Sequence, residues 1–99
     1  MKPLPSNVIS HRRTREFSES SVPAGLCHAH TTKRGVWAQI HVLQGSLRYR
    51  IFEPDLEEHV LSADRPGVVE PEVPHEVEPM GPVRFYVEFF RIASEGSAP

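Results

Sequence analysis

Prolines limit this chain more than any other feature. Six of them fall between residues 54 and 82, at positions 54, 66, 71, 74, 79 and 82. Proline has no backbone N–H and its ring clashes with the preceding helical turn, so no long helix survives after residue 53. Before that point the apolar residues recur with period two, which is the period of a strand. "VWAQIHVL" (36–43) places Val36, Ala38, Ile40 and Val42 on one face and Trp37, Gln39, His41 and Leu43 on the other. "LRYRIF" (47–52) resumes the alternation with Leu47, Tyr49 and Ile51. "QGS" (44–46) between them predicts a hairpin turn.

The rest of the chain continues in that manner. "HVLS" (59–62) and "VVE" (68–70) read as short strands separated by the turn "ADRPG". "PEVP" (71–74) is a stiff corner, and "PMGP" (79–82) predicts a turn. The clearest strand follows at "VRFYVEFFRI" (83–92), with Val83, Phe85, Val87 and Phe89 on one face. Roughly six to eight short strands with regular turns predict an all-β sandwich or small barrel. At 99 residues the chain has the size of one domain (1–99), with residues 1–15 as an arm and 94–99 as a frayed tail.

Charge and composition remove several functions. A net charge of −2 and a pI near 6.3 leave no broad basic face, which argues against nucleic acid as a partner. "HRRTR" (11–15) is the one basic cluster and reads as a solvated arm. Cys27 is the only cysteine, so no intrachain disulfide forms. "MKPLPSNVIS" carries no apolar signal segment, and no apolar run approaches the ~18 residues of a membrane helix. A cytoplasmic location and no membrane partner are therefore expected.

Three histidines stand out. In an extended segment residues i and i+2 share a face, so a strand over 26–31 turns His28 and His30 the same way. His75 follows the proline corner. Neutral imidazoles bind divalent metals such as Zn, Fe or Ni, and a catalytic site uses three protein ligands with one open position. His-x-His with a distant histidine has that content. The plainer reading stands beside it: His28 and His30 on an exposed strand, His75 at a turn. Glu70 and Glu72 flank Pro71 and could donate an oxygen ligand or fix a histidine tautomer. Glu88 lies within "FYVEFF" on the face of Tyr86 and Phe90, either on an outer face or in a polar pocket with Arg84, Arg48 or Arg50 as partner. His41 reads as a surface or interface residue. No serine sits in a Gly-x-Ser-x-Gly elbow, and Cys27 reads as a buried apolar residue.

These stretches carry a resemblance. "HVLQGSLRYR" followed by "DRPGVVEPEVPHEVEP" resembles the two motifs of a small cupin, with Asp64, Pro71 and His75 in place. Ala63 stands where a glycine is usual, and Ala38 where an acidic ligand is expected, so a four-ligand cupin metal site is incomplete. More closely, "PAGL" (23–26), "HTTKRGVW" (30–37), "VLQGSLRY" (42–49) and "VVEPEVPHEVE" (68–78) resemble the family formed by the N-terminal domain of the tellurite-resistance protein TehB and the stand-alone protein YeaR. The resemblance covers about residues 15–92. It implies a cupin-like double-stranded β-helix (jelly-roll) barrel, His30 and His75 as the shared core of any site, and an association with tellurite or related stress. It does not imply methyl transfer, which in two-domain relatives belongs to another domain.

The expectation is an all-β, single-domain cupin-like barrel, homodimeric so as to cover its edges. Its expected role is to bind a divalent metal through His30 and His75, helped by His28, Glu70 or Glu72, and to take a small molecule or oxyanion. Lys33, Trp37, Arg48, Arg50, Tyr86 and Glu88 are the pocket candidates. The alternatives are a metal-dependent cupin enzyme, oxygenase- or hydrolase-like, and a non-catalytic interaction domain with a vestigial site.

Overall fold

A computed structural model describes residues 1–93, so the tail expected at 94–99 lies outside the described residues. The described residues form six strands and one 3-10 turn: β1 (Val8–Arg13), β2 (Phe17–Ser18), the turn Ala24–Cys27, β3 (Val36–Ile51), β4 (Glu57–Leu61), β5 (Gly67–Val69) and β6 (His75–Ile92). All pairing is antiparallel. The strand order is β1-β6-β3-β4, with β2 added on β6 and β5 added on β3. The architecture is an all-β open sheet, with β1 and β4 at the ends of its path.

Two long strands dominate. β3 and β6 stay paired from Val36 opposite Arg91 to Ile51 opposite His75. The turns expected at 44–46 and 79–82 are therefore corrected: both stretches lie inside continuous strands. The register slips between Val42 and Gln44 and again between Gly45 and Leu47, which marks a bulge. Gly45 has φ +77°, and a Cβ there would stand 2.1 Å from the Pro82 carbonyl oxygen. A glycine that looks like turn chemistry in sequence here lets the two backbones touch where the ribbon bends. Pro79 and Pro82 lie on the part of β6 that β1 and β2 leave unpaired, where a missing amide is tolerated.

The bulge also corrects the phase. Before it, β3 buries the even positions Ala38, Ile40 and Val42; after it, the odd positions Leu47, Tyr49 and Ile51. One extra residue thus turns both apolar runs to the same side. Val77, Val83, Phe85 and Val87 of β6 complete that inner face, with Leu61 and Val69 from β4 and β5. At Gly67 a Cβ would meet Leu61, Tyr49 and Ile40 at 2.7, 3.3 and 3.4 Å, so β5 presses against side chains from both halves of β3. The arm pairs at the sheet edge through β1, Val8 opposite Ile92 and Arg13 opposite Glu88. No helix among the described residues is long and apolar enough to cross a membrane.

Candidate functional site

The sequence between the 3-10 turn and β3 has no strand period, and only one of its residues enters the sheet. His30 makes an isolated antiparallel bridge with His75, His30 N–H donating to the His75 carbonyl at 2.7 Å and His75 N–H to that of His30 at 2.9 Å. The backbone of Glu72 donates to the Thr32 carbonyl at 3.2 Å, and Thr32 Oγ1 donates to the Val36 carbonyl at 2.8 Å. Residues 30–32 are thus tied to the proline corner. Directly bridged residues project to one side of the ladder. The two imidazoles accordingly meet edge to face, their centroids 5.4 Å apart.

Both line a cavity of about 300 Å³. Ala38 and Ile40 of β3, Phe85, Val87 and Phe89 of β6 and Val69 of β5 form its sheet wall. Phe17 and Leu26 close it from the segment before the bridge, and Thr14 reaches it from beside β1. Among the described residues no lysine, arginine, aspartate or glutamate lines it.

His75 is only 6% exposed. Its Nδ1 lies 3.0 Å from the Val73 carbonyl oxygen. A carbonyl only accepts, so Nδ1 carries the hydrogen and Nε2 keeps a lone pair. Burial holds the imidazole below its ordinary pKa; the carbonyl contact opposes this, and the charge of a protonated His30 would add to it. His75 is therefore a neutral hydrogen-bond acceptor in an apolar wall.

Among the described residues no group of three or more His, Cys, Asp or Glu is placed to hold a metal ion. The pair offers two nitrogens where a catalytic metal takes three protein ligands. The residues present do not by themselves fit a resident catalytic metal.

The structure brings together His30 and His75 and distributes the other expected residues elsewhere. The strand expected over 26–31 is instead a 3-10 turn ending at Cys27, followed by exposed His28. Cys27 is half-buried, and burial pushes its thiol pKa up, with Glu76 and Glu78 adding to it. Glu70 and Glu72 do not share a face as expected, because Glu72 leaves the extended region at φ +62°. Glu70 instead meets Lys2 at 3.3 Å, and Glu72 is exposed.

None of the charged or aromatic pocket candidates lines the cavity. Lys33 is exposed in the turn before β3. Arg50 donates to Glu58, Glu76 and Glu78 at 2.8–2.9 Å, and those bonds raise its pKa further. Arg48 faces Glu78 at 3.7 Å, with its Nε buried and unpartnered among the described residues. Trp37 stands opposite Phe90 on the outer face of the sheet, half-buried. Glu88 belongs to that outer face rather than to the cavity. It accepts from Ser10 at 2.6 Å and pairs with His41 at 3.0 Å, and His41 stacks on Tyr86 with centroids 4.7 Å apart. The Ser10 bond, then that of His41, holds the Glu88 carboxyl below its usual range against the opposing effect of burial. Sequence marks neither Phe17 nor Leu26 as a pocket residue: β2 has two residues, too few to show a strand period, and Leu26 sits in a 3-10 turn.

Known proteins are similar to this chain in sequence and fold. A family model described as the TehB-like domain matches residues 12–87. YeaR of Escherichia coli K12, described as an uncharacterized protein, is 29% identical over 100 residues, which span 91% of this chain and 83% of YeaR. A crystal structure of a protein from Escherichia coli K12 superposes with a TM-score of 0.82 at 26% identity, over 94% of this chain and 98% of the other. TehB from Haemophilus influenzae superposes with a TM-score of 0.80 at 23% identity, over 88% of this chain and 32% of TehB, a likeness of fold to about a third of that protein. The matched residues include both histidines of the cavity, and the chain belongs to the TehB-like domain family.

Proposed function

We propose that this chain is a small-molecule-binding domain whose cavity takes an apolar ligand and anchors it through the His30–His75 pair. The observation that carries this reading is the pairing of a concave apolar wall with two convergent imidazoles, the composition typical of ligand pockets. The cup is read as a cupin-like barrel opened at one side, and β1 and β4 end the sheet with edges that a homodimer would cover. Any association with tellurite or related stress then runs through ligand binding rather than methyl transfer.

A second reading has a specific observation behind it. The tautomer that Val73 imposes on His75 is the one a metal-bound histidine carries, with the far nitrogen free. In that case Zn, Fe or Ni is held by two histidines, and the ligand itself completes the set.

Histidine-selective 13C spectra during titration with 2-phenylethanol test the first reading. The resonances of His30 and His75, of the six histidines, should shift and saturate. Equal drift at all six, or no shift, overturns it. Dialysis against each metal tests the second: about one metal per chain, lost in His30→Ala and in His75→Ala, supports two-histidine ligation. Binding that survives both substitutions removes it.

A further inference from the structure

The cavity's own polar groups are almost entirely committed. Thr14 Oγ1 donates to the Arg15 carbonyl at 2.8 Å and accepts from the Val87 N–H at 3.0 Å. Thr32 Oγ1 is committed to the Val36 carbonyl. A ligand therefore meets hydrocarbon and two imidazoles inside, and charge only at the rim.

The rim is basic. Arg12 pairs in register with Phe89 and so shares its face, the cavity side, while Arg13 pairs with Glu88 and faces out. The Arg12 guanidinium stands 4.8 Å from the centre of the Phe89 ring, and that of Arg15 5.6 Å from the Phe17 ring. Both rings line the cavity. Stacking on a ring holds a guanidinium in place while leaving its in-plane N–H donors free to fork a carboxylate. Arg84, Arg50 and Arg48 spend their charge on Glu16, on three glutamates and on Glu78. Arg12 and Arg15 have no carboxylate within salt-bridge reach among the described residues.

We infer that the cavity's ligand is a small organic anion, an apolar body with a carboxylate at one end, and that Arg12 and Arg15 hold the carboxylate at the rim. This deepens, and rests on, the ligand-binding reading above. An inorganic oxyanion would leave the apolar wall uncovered, and a neutral hydrocarbon would leave both guanidinium groups unused. The two parts of the cup match the two parts of one amphiphilic molecule.

Phenylacetate and 2-phenylethanol share an apolar body and differ in the anion. Both are titrated into the full chain, with the His30 and His75 resonances as the readout. Phenylacetate should bind about tenfold more tightly, and the preference should shrink in about 0.5 M salt. In the Arg12→Gln, Arg15→Gln double variant the preference should vanish. Arg13→Gln, on the outer face, should leave the preference intact. Equal affinities in the unsubstituted chain overturn the anion while the pocket stands. A preference that persists in the double variant overturns the two arginines. If neither probe moves His30 or His75, the ligand-binding reading fails and takes the inference with it. Should the double variant fail to fold, the salt titration of the unsubstituted chain decides: a preference that does not shrink with salt overturns the charged contact.

Discussion

The two faces of the β3–β6 ribbon each carry histidine in an aromatic setting, and the two settings do opposite things. Inside, His75 is nearly sealed and neutral, and among the described residues its ring is bonded only through Nδ1, to the Val73 carbonyl. Its neighbours are His30 and Tyr49, whose ring centroids lie 5.4 and 6.0 Å away. Outside, His41 is partly exposed and meets the carboxylate of Glu88, with Ser10 as the carboxylate's other partner. The outer histidine completes a network and has little left to offer. The inner one keeps an acceptor that no protein group among those described uses. A histidine's availability for binding is thus set by which face of the strand it occupies and by whether a carboxylate reaches it first.

The contrast depends on the bend, so the largest effect comes from breaking it. Gly45→Ala puts a Cβ where the Pro82 carbonyl oxygen stands, at a positive φ that L side chains rarely adopt. The expected loss is about 3 kcal/mol or more, the sum of backbone strain and a steric clash. Chemical denaturation of the variant checks it. Stability within about 0.5 kcal/mol of the parent would mean that the ribbon can straighten without cost, and that inner and outer faces are not fixed by this glycine.

Much of the inner face was legible in the sequence, and the bend was not. Period two correctly marks Ala38, Ile40 and Val42, then Leu47, Tyr49 and Ile51, then Val83, Phe85 and Val87 as buried, because burial on one face of a strand leaves that pattern in the residues. Gly45 misleads because a bulge and a turn ask for the same backbone freedom, and only the partner strand distinguishes them. "PMGP" misleads for a related reason: the prolines are tolerated because one side of β6 is unpaired there, a fact of topology rather than of local chemistry. The His30–His75 approach bridges a long separation in sequence, and the proline corner beside His75 was its only local sign. The apparent His-x-His strand is absent because residues 24–27 take a 3-10 turn, which leaves His30 alone to pair. Sequence alone leaves Glu88 open between the two faces, because its partners, Ser10 and His41, lie 78 and 47 residues away.

Acid separates the two faces at different pH. The folded-state pKa of His75 is lowered, so between the ordinary histidine value and that lower value the unfolded chain binds the extra proton. Stability should fall as pH drops through that window, with a slope no steeper than about 1.4 kcal/mol per pH unit for one group. Glu88 has a lowered carboxyl pKa, so its contribution is present above the usual carboxylate range and is lost only as pH falls through the folded value. Denaturation midpoints across pH, compared with His75→Gln, check the assignment. A variant that keeps the full slope near neutral pH would move the titration away from the inner face.

The smallest effect should come from the outer face. Glu88→Gln removes the charge but keeps an oxygen that can accept from Ser10 and an amide that can meet His41. The pair is partly exposed, with side-chain exposures of 26% for His41 and 15% for Glu88, so solvent already weakens its attraction. The expected cost is about 0.5 kcal/mol, the size of one polar contact at a partly exposed site. More telling is the effect on binding. Glu88 and the cavity lie on opposite sides of β6, and no side chain of the outer network lines the cup. The variant should take up 2-phenylethanol with unchanged affinity in the same histidine-resolved titration. A clear loss of affinity would show that the outer network sets the position of the inner wall, and that the two faces of the ribbon do not act independently.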